Sequence, residues 1–326
     1  MKLFVLFTTI SITAAACGGI FSADGDVALD IAQIERDVRA LAGDSTYGRG
    51  AGSVHEFASA DFIRQRFIDL GLTVPSNGGY LQSFEVTGGK FVVTEQCSQS
   101  PPQNPQILTS QNVMGVLPGV GNLAQQWVIV SAHYDHLGCQ VDADSVLIFN
   151  GADDNASGTA AMLDIARTLV DTWGGGGPPR RSMMFAAFGA EEPGLVGSRH
   201  FVEHPVIPMD SVVAVVNLDM VGRLRSNTLT IVGTSASDGW QAMLDAKNDA
   251  RLTIVYDDTF LARGDHFSFI NVSVPAAHFF TGTHDQYHTP LDDLPLVDFA
   301  GIKRVGDLAL AVTRSLAFTA AIPRMR

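Results

Sequence analysis

Positive charge is in short supply along this chain: 21 lysines and arginines stand against 34 aspartates and glutamates, a formal charge of -13 over 326 residues. No lysine/arginine cluster breaks the acidic balance. Binding a polyanion requires a concentrated basic surface to displace counterions, so a nucleic-acid partner is not expected. Cysteine is also scarce, three residues with no CxxC pair, which argues against a structural metal site built on thiolates. Neither an internal repeat nor a long linker divides the sequence. With 46% hydrophobic content, the chain can bury one substantial core as a single large domain.

The apolar run at the N-terminus, Leu3 to about Ala16, is too short to span a bilayer comfortably. It follows Lys2 and passes through small residues to Cys17, the pattern of a secretory signal. A small-residue run ending in cysteine resembles the bacterial lipoprotein signal, in which that cysteine is lipidated, although Ala14 stands where leucine is more usual. The expectation is therefore a signal over 1–17 with lipidated Cys17, followed by a single domain over 18–326. Membrane contact would come only through that anchor, in an exported protein of the bacterial cell envelope. A plain cleaved signal, giving a periplasmic or secreted protein, is the alternative. After export only Cys97 and Cys139 remain, and a single disulfide is the default in an oxidising compartment.

Helical periodicity appears in IAQIERDVRALAG and in HEFASADFIRQRFIDLGL, where Ala60, Ile63, Phe67 and Leu70 fall on one face. SQSPPQNPQ and GGGGPP punctuate the chain as loops. WVIVSAH, SMMFAAFGAEE, SVVAVVNLDM and VSVPAAHFF are nearly continuous in apolar residues, as strands covered on both faces are, and helical patterns separate most of them. The implied fold is α/β, with a mostly parallel mixed central sheet flanked by helices on both faces. Ligands of such sheets bind beyond the carboxyl ends of the strands.

Those strand ends carry metal-ligand residue types. His133 and Asp135 follow the first run, Glu191 and Glu192 the second, and Asp219 ends the third. If the backbone stays extended, His133 and Asp135 share a face, and the carboxylate can accept the second ring N–H of a ligating imidazole. Pro193 restricts Glu192 to an extended backbone, so the side chains of Glu191 and Glu192 diverge; one can serve as ligand and the other as general base. A further puzzle is NGADDNASG, in which Asp153 and Asp154 crowd the mouth of a helix where one acidic cap would suffice. The cluster THDQYHTPLDD offers His284 and His288, between which spacing alone does not choose, with Tyr287 as a possible oxyanion donor.

HYDHLG, NGADDNASG, FGAEEPGLVGS, NLDMVG, RGDHFSF and HDQYHTPLDD stand in the order and approximate spacing seen in co-catalytic zinc exopeptidases of the aminopeptidase S type. That family also contains glutamate carboxypeptidases and glutaminyl cyclases. The resemblance covers roughly Thr46 to Leu316 and implies the zinc-exopeptidase form of the fold, phosphorylase/hydrolase-like. It implies two Zn2+ ions, with Co2+ or Mn2+ as substitutes that the same nitrogen and oxygen ligands accept. His133 and Asp219 would bind one ion, Glu192 and His288 the other, and Asp154 would bridge them. Glu191 would be the general base, Asp135 the partner of His133, Tyr287 the oxyanion donor and Arg263 a substrate contact. Three carboxylates and two neutral imidazoles around two divalent ions leave a net charge of about +1, which favours an ionised water. The activity implied is aminopeptidase cleavage of peptides with a free N-terminus by a metal-activated water. Two alternatives share the fold: a glutaminyl-peptide cyclotransferase with one zinc, whose members carry tryptophan where this chain has Tyr287, and a non-catalytic lipid-anchored binding protein.

Overall fold

The apolar runs form the middle of an eight-stranded sheet in the computed structural model, which describes residues 27–87, 97, 107–143, 145–174 and 176–326. The expected signal segment over 1–17 with Cys17, and the Pro-rich stretch 98–106, lie outside the described residues. In chain order the strands are β1 (Leu81–Thr87), β2 (Ile107–Leu117), β3 (Trp127–His133), β4 (Cys139–Asp142), β5 (Ser145–Ile148), β6 (Ser182–Phe188), β7 (Val212–Leu218), β8 (Thr228–Val232), β9 (Ser237–Asp238), β10 (Thr253–Tyr256), β11 (Ala276–Phe280) and β12 (Arg324–Met325). The helices are α1 (Ile31–Leu41), α2 (Val54–Asp69), α3 (Gly158–Trp173), α4 (Val196–Glu203), α5 (Trp240–Lys247), α6 (His266–Ile270) and α7 (Phe299–Phe318).

The central sheet runs β1-β2-β6-β3-β7-β11-β8-β10. Its middle, β6-β3-β7-β11, is parallel, as is the β8-β10 pair, whereas β1-β2, β2-β6 and β11-β8 are antiparallel. The strand period of two divides each run between two cores. Met183, Phe185 and Ala187 of β6 join one hydrophobic cluster with residues of α1, α2, α3, α5 and α7. Met184, Ala186 and Phe188 join another, with Phe201 of α4 and Phe269 of α6. Helices on both faces thus account for strands with no polar alternation.

Local chemistry starts the N-terminal helices where the periodicity places them. Asp30 and Ser53 cap α1 and α2 by accepting from Ala32 N and Glu56 N, satisfying donors that the first helical turn leaves free. Ala60, Ile63 and Phe67 are buried, while Leu70 is only partly covered. Cys97 and Cys139 are joined as a disulfide, with their Cα atoms 5.1 Å apart, which ties residue 97 to the β4–β5 hairpin. Because β6, β3, β7 and β11 run parallel, the segments following them gather at one end of the sheet.

Candidate metal centre

Five segments meet at that end. From β3 come His133, Tyr134, Asp135 and His136; from β6, Glu191 and Glu192; from β7, Asp219; and from the turn preceding α3, Asp153 and Asp154. His288 arrives from the segment after β11, with φ at 56°. His133 Nε2 lies 3.2 Å from Asp154 Oδ1 and 3.3 Å from Asp219 Oδ1. His288 Nε2 lies 3.1 Å from both Asp154 Oδ2 and Glu192 Oε2. Asp154 therefore turns one oxygen toward each of two imidazole–carboxylate sets. Ligands bound tetrahedrally at about 2.0–2.1 Å stand about 3.3 Å from one another. The donor spacings and the nitrogen/oxygen chemistry fit zinc-sized cations, and His133, Asp154 and Asp219, like His136, Asp154 and Glu192, form a group that could hold one.

Electrostatics agrees with the spacing. Burial opposes ionisation of Asp154, but hydrogen bonds to His133 and His288 and the charge of His136 outweigh it, holding the carboxyl well below its ordinary range. Burial likewise disfavours the charged form of His288, yet Asp154 and Glu192 raise it to about 10. At His133, Asp219 and Glu191 overcome the same burial cost. Against burial, Asp154 and Glu192 are both held below their ordinary range by neighbouring imidazoles, the place a divalent cation would take. Glu191 differs: burial raises its carboxyl well above the ordinary value, and Glu192, Asp265 and Asp219 add to that rise against His133. It lines a cavity together with Arg263, Tyr287, Met220, Phe260 and Phe280. The Tyr287 ring stacks on that of His288 at 3.7 Å. Burial and the surrounding carboxylates raise its phenol further, so it stays protonated and able to donate.

Some details differ from the linear expectation. His133 Nδ1 is nearer to the main-chain oxygen of Asp135, at 3.2 Å, than to its carboxylate, at 3.7 Å. That carboxylate accepts the Glu191 and Glu192 amides, at 2.9 and 3.3 Å, and so couples the β3 and β6 loops. Asp153 and Asp154 do not cap α3. They lie in a π turn over Ala152–Ser157 in which Asp154 and Asn155 leave helical geometry, the peptide between them being cis. Asn155 Oδ1, two residues ahead of the N-cap Ser157, accepts from Gly158 N at 2.9 Å. Asp153 instead accepts from Gly222 N at 2.6 Å and Ser157 Oγ at 3.1 Å, and faces His284 Nε2 at 3.3 Å. Asp292 accepts from the amides of Asp153 and Asp154, at 3.1 and 3.0 Å. His284, Asp153 and Asp292 form a polar layer behind Asp154, which separates the positions of His284 and His288.

Two features have no counterpart in the motif analysis. Ser131 donates to Asn217 Oδ1 at 2.7 Å, and Asn217 Nδ2 donates to His278 Nδ1 at 2.9 Å, a row across adjacent strands β3, β7 and β11. Accepting at Nδ1 leaves the neutral His278 ring protonated at Nε2 beside the cavity, and burial lowers its basicity to about 3. Single polar residues inside otherwise apolar runs were the available signal. The second feature is Arg49, fully buried, whose guanidinium donates to the carbonyls of Leu41, Tyr134, Asn150 and Gly151 at 2.5–3.0 Å. Burial lowers it to about 10 against the pull of Asp135, Asp154, Asp292 and Glu192, so it remains a cation at neutral pH. It clamps the loops that carry His133 and Asp154. Arg49→Met is expected to lower unfolding free energy by about 3–5 kcal/mol, because it strands buried acceptors and uncompensated carboxylates. Urea unfolding of the metal-free protein measures this; a loss under about 1 kcal/mol would refute the clamp.

The family model described as Peptidase family M28 matches residues 112–313. The chain is similar to the aminopeptidase YwaD of Bacillus subtilis, 31% identical over 213 residues, covering 62% of this chain but only 44% of that relative's length. Among solved structures it is similar to BSAP, a zinc aminopeptidase from Bacillus subtilis, with a TM-score of 0.68 and 19% identity over 91% of this chain and 99% of that one. It is also similar to the glutaminyl cyclase of Porphyromonas gingivalis, with a TM-score of 0.66 and 17% identity over 88% and 98%.

Proposed function

The chain belongs to peptidase family M28, and from that premise we propose that it is a two-zinc aminopeptidase that removes residues from the free N-termini of peptides. The observation that carries this reading is the placement of Asp154, with Oδ1 toward His133 and Oδ2 toward His288. Under the proposal, His133 and Asp219 would hold one ion, Glu192 and His288 the other, and Asp154 would contribute to both. The ions would polarise the scissile carbonyl and acidify a water molecule.

The chain's own groups do the rest. Glu191 takes the proton of the attacking water and returns it to the leaving amine, a task suited to a carboxylate whose basicity burial raises. Tyr287 donates its phenolic hydrogen to the oxyanion that develops on the former carbonyl oxygen. Asp135 anchors the Glu191 amide and so sets where the base stands. Met220, Phe260 and Phe280 form an apolar wall of the cavity, favouring apolar N-terminal side chains, and Arg263 at its rim contacts the substrate. Export is part of the proposal, supported by the Cys97–Cys139 disulfide, since such bonds persist in oxidising compartments.

The test is a panel of aminoacyl-nitroanilides and short peptides, including peptides with N-terminal glutamine, assayed before and after chelation and with zinc restored. Release of free N-terminal amino acids, abolished by chelation and regained near two zinc equivalents, is expected. Pyroglutamate formation with one equivalent would replace the proposal with the cyclase, and zinc binding without turnover of any substrate would leave a binding protein.

A further inference from the structure

One histidine beside the centre has no role in the scheme above. His136 is fully buried, its Nδ1 2.7 Å from Glu192 Oε1 and 3.8 Å from Asp154 Oδ2. Its Nε2 meets no hydrogen-bond partner among the described residues. The two oxygens of Glu192 thus have different neighbours, His136 at Oε1 and His288, at 3.1 Å, at Oε2. The lengths separate the two relationships. A distance of 2.7 Å is that of a charge-assisted N–H···O bond, whereas the 3.1–3.3 Å spacings elsewhere in the centre approach the roughly 3.3 Å edge between ligands of one ion.

The ring is also held in place from behind. Gly151 has φ of +56°, and a Cβ there would fall 2.5 Å from two carbons of the His136 ring, so the glycine lets the imidazole lie against the chain. The His136 amide donates to the Arg49 carbonyl at 3.2 Å, linking the ring's position to the buried clamp. Among the described residues no comparable second donor holds Asp219, whose side-chain contact is His133.

We propose that His136 is a positioning residue for the Glu192–His288 side of the centre: its Nδ1–H donates to Glu192 Oε1, fixes Oε2 toward the ion and selectively raises zinc affinity on that side. The inference rests on the assignment of Glu192 and His288 as ligands. Hydrogen-bonded partners of metal ligands contribute about 10–100-fold to affinity.

Zinc affinity of the metal-free protein, measured by competition with a chromophoric chelator, tests this. His136→Leu should weaken one binding step by about 10–100-fold and leave the other unchanged. His136→Asn should restore most of the loss, because its amide nitrogen falls near the position of Nδ1; His136→Gln, whose nitrogen falls nearer Nε2, should not. In the cobalt-loaded protein, the visible absorption bands of wild type and His136→Asn should coincide. If His136→Leu does not fold by circular dichroism, the Asn/Gln contrast decides alone. Affinities within about threefold of wild type in His136→Leu, or equal His136→Asn and His136→Gln affinities, would overturn the proposal. Changed cobalt bands in His136→Asn would make His136 a direct ligand and also overturn it. A wild type that binds a single ion would overturn the two-zinc reading by itself, since the affinity of that one site still reports on His136.

Discussion

Glu191→Gln is expected to bind two zinc ions with wild-type affinity and substrate with nearly unchanged KM, while kcat falls by about 10²–10⁴-fold. The side chain keeps its shape and loses only the capacity to accept a proton. Its neighbour Glu192, not Glu191, faces His288 and His136, so occupancy should survive the change. Burial raises the Glu191 carboxyl well above its ordinary value, which brings its basicity toward that needed for proton transfer near neutral pH. Metal analysis alongside steady-state kinetics checks both halves. Full turnover in the glutamine variant would remove Glu191 from the mechanism, and loss of zinc would make it a ligand instead.

The adjacent aspartates should behave oppositely. Asp154→Ala removes an oxygen from each of the two donor sets, so both ions are expected to bind weakly. The several kcal/mol of transition-state stabilisation that they supply would go with them, on the order of 10³-fold or more in rate. Asp153→Ala removes only the struts to Gly222, Ser157 and His284. It should cost about 1–3 kcal/mol of stability through stranded buried donors while retaining two ions at saturating zinc. Isothermal zinc titration and thermal unfolding of the two variants separate the roles. Two ions bound normally by Asp154→Ala would end the bridging assignment, and their loss in Asp153→Ala alone would exchange the two aspartates.

Composition and periodicity were sufficient for the fold class and the parallel middle of the sheet, though not for β1, β2, β8 and β10, because burial on both faces leaves a direct mark on sequence. The runs that became β3, β6, β7 and β11 are apolar at successive positions, and α1 and α2 begin at recognisable caps. The residue types gathered at the centre were equally legible: parallel strands bring their carboxyl ends together, so His133, Glu191, Glu192 and Asp219, although far apart in sequence, had to converge. Ordered motifs then suggested which of them would be ligands.

Spacing alone did not distinguish residues of the same type: the family resemblance assigned Asp154 over Asp153 and His288 over His284, and only the folded chain supplies a physical reason. Asp153 and Asp154 are neighbours in a run of polar residues, and it is the turn before α3, pinned by Asp292, that sends one behind the centre and the other into it. His284 and His288 are separated in the same way, by what each faces across the loops. Arg49 left no periodic or motif signal, and His136, although it stands within HYDHLG, gave no sign of its contact, because both act through hydrogen bonds to groups distant along the chain: Arg49 to main-chain carbonyls at Tyr134, Asn150 and Gly151, His136 to one oxygen of Glu192. Hydrophobic burial has a periodicity that a linear sequence can carry. A hydrogen bond depends on distance and direction between two particular atoms, and tertiary structure alone sets those.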